Sequence, residues 1–195
     1  MMAQQLLKQR PAGMSAAEFS VFLAARPKEE RWQLIDGHPC MMTPPTATHQ
    51  RIAYNLARRL DEALEAARIE LATLQEIGVR IPGRDAFLPI PDLVVADAIA
   101  PAASYLDRFY LAAEVLSESN TAEYVSMKVD RYAEHPDNLY TLVVDQMEMR
   151  CEIWSRQNGW RGTVLRGPEA MVDLPEFNFR CLLHELYRNT LVVPI

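Results

Sequence analysis

From His49 to about Arg68 the apolar residues Ile52, Ala53, Leu56, Leu60, Ala63, Leu64 and Ala67 recur at steps of three and four, which gathers them on one face of an α-helix. Arg51, Asn55, Arg58 and Glu62 fall on the opposite face. Earlier in the chain, Ser15-Ala16-Ala17-Glu18 has the form of a capping box, in which serine and glutamate satisfy free backbone donors at a helix start. It predicts a short helix from Ala16 to about Ala25. The run WQLIDGHPCMM then sets Asp36-Gly37 between two apolar stretches, and Asp-Gly tolerates the positive φ angles of a tight β-hairpin turn.

After the long helix the pattern changes to strands. One is predicted across Glu70 to Ile81, followed by PDLVV and LAAEVLS. A helix from about Thr121 to Glu134 follows, with Asn120 placed as its cap and Glu123 three residues on. LYTLVVD, MRCEIWS, the turn RQNG and WRGTVL finish as strands, and CLLHELY reads as a short final helix. This order predicts an α/β fold, a mixed central β-sheet flanked by helices. No repeat, low-complexity tract or linker divides the sequence, so residues 1–13 read as a flexible tail and 14–195 as one domain.

Composition narrows the class. With 49% hydrophobic and 24% charged residues the chain is ordinary for a globular protein. No stretch approaches the roughly 20 apolar residues of a membrane span, and no secretory signal precedes residue 14, so the cytoplasm is the expected location. Cys40, Cys151 and Cys181 are too widely spaced for a disulfide framework or a structural zinc site. A net charge of -6 excludes a strongly basic nucleic-acid coat. It does not exclude an enzyme that gathers acids around a metal and keeps its basic groups local.

Two of the apolar strands each carry one carboxylate, Asp92 in PDLVV and Glu114 in LAAEVLS. Burying an unpaired carboxylate is expensive, so each needs a cation, a proton or hydrogen-bond donors. On the helix that follows, Lys128 lies about 60° from Val125 at the border of the inward stripe of Val125, Val129 and Tyr132. Two acids and a lysine at one sheet end suit a hard divalent cation, Mg²⁺ or Mn²⁺. Such a site performs phosphodiester hydrolysis, with water as nucleophile and the amine neutralising phosphate oxygens. Taken singly, Asp92 also reads as a strand opener bonded to nearby amides, Glu114 as an ion-pair partner of Lys128 or Arg131, and Lys128 as a solvated helix lysine.

The words QLIDG, MMTPPTATHQ, PDLVV, EVLSES with a downstream lysine, and LYTLVVD together resemble the Uma-two family of restriction-endonuclease-like proteins, within the PD-(D/E)XK nuclease superfamily. The resemblance runs from about Met14 to the C-terminus. It implies a restriction-endonuclease-like core and Mg²⁺-dependent cleavage of DNA by an endonuclease, with a homodimer as the common assembly. Matched by position, Asp92 is the aspartate of PD and Glu114 the acid of (D/E)XK. Leu116 stands at the nominal lysine position, Lys128 on the next helix replaces it, and the carbonyl of Val115 completes the metal's coordination.

Some positions depart from the family pattern. Gln33 replaces the usual glutamate before LIDG, Tyr124 stands where an acid is common, and HPDNLYTL replaces a Gly-Val-x-Glu-Tyr-Trp run. Gln33, as a neutral amide, is expected to stand behind the metal ligands and accept a hydrogen bond from a bound water. His49 lies on the inward stripe of its helix, as a satisfied core histidine or as a group that orients phosphate or water. Arg51 and Arg58 form an exposed helix face or hold nucleic-acid phosphates. Gln33, Tyr124 and the acidic balance keep open a weakened nuclease-fold protein that serves as a binding or assembly module, and a hydrolase of smaller phosphate esters is a third reading.

Overall fold

The computed structural model describes residues 13–99, 101–117 and 121–193; the tail through residue 12 and the cap at Asn120 lie outside them. Helix α1, Ala16–Ala24, begins at the expected capping box, with Ser15 Oγ accepting from the Glu18 amide and the Glu18 carboxylate accepting from the Ser15 amide. Strands β1, Trp32–Ile35, and β2, His38–Met41, form the Asp-Gly hairpin. Asp36 and Gly37 both take positive φ, 45° and 81°, as a two-residue turn of this twist demands.

Helix α2 spans Ala47–Ala67 and starts earlier than its apolar stripe, because Thr46 is the cap and accepts a 3.1 Å bond from the His49 amide. It ends at Arg68 in the left-handed conformation. The single strand expected over Glu70 to Ile81 is instead two, β3, Leu71–Gln75, and β4, Gly78–Val79. The break is at Glu76, whose φ of 52° turns the chain off the sheet. A 3.3 Å bond from the Glu76 amide to the Asp92 carbonyl and an ion pair with Arg31 hold that turn.

Strands β5, Leu93–Asp97, β6, Tyr105–Leu106, and β7, Leu111–Leu116, come next, then helix α3, Ala122–Ala133. Thr121 caps α3 by accepting from the Tyr124 amide at 3.2 Å. Strands β8, Tyr140–Asp145, β9, Arg150–Ser155, β10, Thr163–Arg166, β11, Met171–Leu174, and β12, Phe179–Leu182, are followed by the one-turn helix α4, Leu183–Leu186. The segment read as a final helix therefore splits, with Cys181 and Leu182 in β12. Among the described residues no helix is long and apolar enough to cross a membrane.

The main sheet has the order β10-β9-β8-β7-β5-β3. Within this sheet, among the described residues, only β7 and β8 run parallel, and α3 is the crossover between them, as a parallel pair requires. Along β5 and β7 alternate residues enter opposite cores, which is why these strands are apolar except at Asp97 and Glu114. Leu93, Val95, Leu111, Ala113 and Val115 pack with Ile52, Leu56 and Leu60 of α2. Val94, Ala96 and Ala112 pack on the other side with Val79, Phe87, Phe109 and Tyr132.

One polar residue assigned to the solvent face of α2 is in fact inside. Asn55 is buried and donates to the carbonyls of Leu186 and Arg188 at 2.9 and 2.8 Å. The final segment docks over this part of the helix, and an amide is the side chain that can satisfy two of its carbonyls. The cysteines are free thiols, and burial pushes Cys151 and Cys181 up to about 12, which leaves them inert as nucleophiles.

Candidate active site

Leu93 faces Ala113 across the antiparallel β5–β7 pair, so the next facing positions outward are Asp92 and Glu114. The register that joins two apolar strands thus brings the two carboxylates to one end of the sheet. Because β5 stops at Leu93, the Val115 amide has no backbone partner on that side, and Asp92 Oδ2 accepts from it at 2.7 Å. His49 Nε2 lies 3.2 Å from the same oxygen. Burial lowers the His49 pKa, but the bond to Asp92, the charges of Asp92 and Glu114 and the Val115 backbone outweigh it and hold the imidazole above its ordinary value. Its Nδ1 is buried and has no partner among the described residues.

Glu114 meets the helix on the opposite side of the sheet from α2. Its Oε1 accepts from Lys128 Nζ at 2.6 Å and from the Tyr132 hydroxyl at 2.6 Å. Lys128 is 3% exposed, so its amine is a buried cation rather than a solvated one. Burial raises the Glu114 pKa and the Lys128 charge offsets part of that rise. For Lys128, burial works downward, yet the Glu114 charge holds the ammonium above its usual value. Tyr132 is pushed well up by burial and by Glu114, so it acts as a hydrogen-bond donor.

Tyr124, Lys128 and Tyr132 are spaced by four residues and line one stripe of α3. Lys128 Nζ lies 5.6 Å from the centre of the Tyr124 ring and 6.0 Å from that of Tyr132. From the hairpin, Gln33 joins the same stripe, its Nε2 donating to the Tyr124 oxygen at 3.1 Å. Its Oε1 accepts from the Ile90 amide at 3.3 Å, two residues ahead of Asp92. The amide oxygen expected to face a bound water is therefore engaged by the backbone.

Asp92, Glu114, Val115, Lys128 and His49 come together, and Gln33 reaches them through Tyr124. Arg51 and Arg58 make their contacts elsewhere: Arg51 stacks 5.8 Å from the Tyr54 ring centre, and Arg58 pairs with Glu62. Sequence reasoning missed the Tyr132 hydroxyl, which it counted as part of an apolar stripe. The signal was its spacing of four from Lys128.

The oxygens expected to meet a metal are two carboxylates and a peptide carbonyl, all hard donors. Among the described residues no group of three or more His, Cys, Asp or Glu side chains forms a metal cage. This set fits Mg²⁺ or Mn²⁺, which bind through one or two carboxylates and keep several waters. Two surface depressions, of about 610 and 480 Å³, lie away from this cluster beside α2, the first against the β11–β12 region and the second against β3. Arg59, Glu62, Asp173 and Arg180 at the first, and Arg58 and Glu62 at the second, already pair with acids or bases of the chain, so neither competes as the reacting site.

A family model described as "Putative restriction endonuclease", Uma2, matches residues 16–182. Among solved structures, one described as "a putative nuclease belonging to DUF820 from Anabaena variabilis" aligns with a TM-score of 0.73 at 17% identity, covering 89% of this chain and 97% of that one. At that identity the likeness concerns the fold. No curated protein matches.

Proposed function

Since the chain belongs to the Uma2 family, we propose that it is an endonuclease that hydrolyses phosphodiester bonds in DNA with the aid of Mg²⁺ or Mn²⁺. The observation that carries this reading is the convergence of Asp92, Glu114 and Lys128 at one sheet end. Asp92, Glu114 and the Val115 carbonyl would hold the cation. When bound, it supplies positive charge to a phosphate whose negative charge grows as water adds to phosphorus and the bond to one bridging oxygen breaks.

The chain's own residues do the rest. Asp92 is oriented by the Val115 amide and by His49, so its carboxylate is set before any ligand arrives. Glu114 is held by Tyr132 on the same oxygen that meets Lys128. An ammonium has three donors, and Lys128 spends one on Glu114; the others neutralise phosphate oxygens. Pairing of two copies, so that two sites meet two strands, belongs to the same proposal.

The test is cleavage of plasmid DNA with Mg²⁺ or Mn²⁺ by the wild type beside Asp92→Ala and Glu114→Ala. Loss in both variants is expected, and cutting at wild-type rate in both defeats the reading. A second reading, a nuclease-fold protein that binds without cutting, is favoured by the neutral pair Gln33 and Tyr124. DNA capture with no heat of Mn²⁺ binding at millimolar concentration would support it.

A further inference from the structure

Hydrogen-bond bookkeeping around Gln33 leaves one proton without a destination among the described residues. The Ile90 amide is only a donor, so the Gln33 atom facing it at 3.3 Å is the carbonyl oxygen. That fixes the other end of the side chain as NH₂, 3.1 Å from the Tyr124 oxygen. An NH₂ group cannot accept, so the phenol is the acceptor of this bond. The Tyr124 proton therefore points away from Gln33.

The ring that carries it is half-buried, one helical turn before Lys128, with the amine of Lys128 5.6 Å from its centre. Burial holds the Tyr124 pKa above its ordinary value in spite of Lys128, so the phenol keeps this proton at neutral pH. Beside the amine that meets Glu114, an O–H not directed at Gln33 is available to meet an anionic oxygen.

We infer that Tyr124 is a further substrate-contacting residue, whose phenol donates a hydrogen bond to a non-bridging phosphate oxygen of the nucleic-acid strand, and that Gln33 is the positioning residue that turns the phenol proton toward it. The inference rests on the proposed nuclease reading and adds a neutral donor to the charges of that site. Gln33 also ties the Ile90 amide, so one side chain couples the phenol to the segment that leads into Asp92.

The experiment compares wild type, Tyr124→Phe, Gln33→Glu and the double variant, with circular dichroism to check the fold. Binding of a fluorescent DNA duplex without metal is followed by anisotropy, and cleavage is measured with Mg²⁺. Removing one hydrogen bond to a charged oxygen lowers duplex affinity and kcat/KM by roughly 10- to 100-fold in Tyr124→Phe. Above neutral pH the new carboxylate of Gln33→Glu still accepts from Ile90, but it also accepts the phenol proton and turns it inward. It shows a similar loss, and the double variant loses no more than either single one.

Wild-type binding and cleavage in Tyr124→Phe, or faster cleavage in Gln33→Glu, overturns the inference. If Asp92→Ala is at the same time inactive, the nuclease reading survives that result. A wild type that neither binds nor cuts DNA ends both.

Discussion

Lys128 Nζ stands 2.6 Å from Glu114 Oε1, and the amine is almost fully enclosed. Two charges removed from water are each costly unless they face one another with further hydrogen bonds, which Tyr132 provides on the glutamate side. The pair is therefore both a structural joint between α3 and β7 and the electrostatic centre of the candidate site.

Lys128→Met leaves the Glu114 carboxylate without its cation. Breaking a buried pair from one side costs ~3–5 kcal/mol, to be measured by urea unfolding, and nuclease activity is lost with it. Adding Glu114→Gln to that variant recovers part of the stability and none of the activity. Equal stability of the single and double variants would contradict a buried ion pair.

Asp92 serves as a hydrogen-bond acceptor as well as a charge. Asp92→Ala leaves the Val115 amide unsatisfied at a cost of ~1–3 kcal/mol, whereas Asp92→Asn keeps an acceptor and unfolds near the wild-type urea midpoint. Both variants lose Mn²⁺ binding by calorimetry. Retention of the wild-type Mn²⁺ affinity in Asp92→Asn would remove Asp92 from the set of ligands.

His135 is buried with its tautomer defined by its neighbours. The Asp137 amide donates to Nδ1 at 3.2 Å, so Nε2 carries the proton and donates to the Asp107 carbonyl at 3.0 Å. Burial depresses its pKa below the ordinary 6.5. The neutral ring is what the fold holds, so its contribution is complete above pH 6.5 and is lost as the pH falls through the depressed value. His49 runs the other way: its raised pKa stabilises fully below 6.5, and that is lost as the pH rises through the folded value. Thermal unfolding between about pH 5 and 7 is thus expected to lose less stability on acidification in His135→Gln than in wild type.

Asn55→Ala strands the carbonyls of Leu186 and Arg188. A loss of ~1–3 kcal/mol follows, concentrated at the C-terminal segment. Amide hydrogen exchange should show faster exchange over residues 186–193 with the main sheet unchanged.

Much of this architecture is legible in the amino-acid order, because it depends on near neighbours. The α2 stripe, the Ser15–Glu18 box and the Asp36-Gly37 turn each follow from residues a few positions apart. That Asp92 and Glu114 could be brought to one sheet end was also an expectation from the sequence, since each sits in or beside a largely apolar strand; the register that makes them face, Leu93 against Ala113, was not.

What escaped depends on distant partners. Nothing within Glu70 to Ile81 marks Glu76 as the bend, because its turn is held by Asp92 and Arg31 from elsewhere. Asn55 looked solvent-facing for the same reason, as its acceptors lie at the far end of the chain. Tyr132 was taken for an apolar residue because most of its surface is one; its hydroxyl acquires meaning only when Glu114 is beneath it.

The crossover between the two parallel strands has a consequence for how this chain tolerates change. Glu114, Tyr124, Lys128 and Tyr132 ride on β7 and the helix that follows it in the chain, so acid, amine and phenols are inherited together as a cassette. One extra residue inside α3 ahead of Lys128 swings the amine by about 100° and off its carboxylate. The same insertion in the turn between β9 and β10 moves none of them.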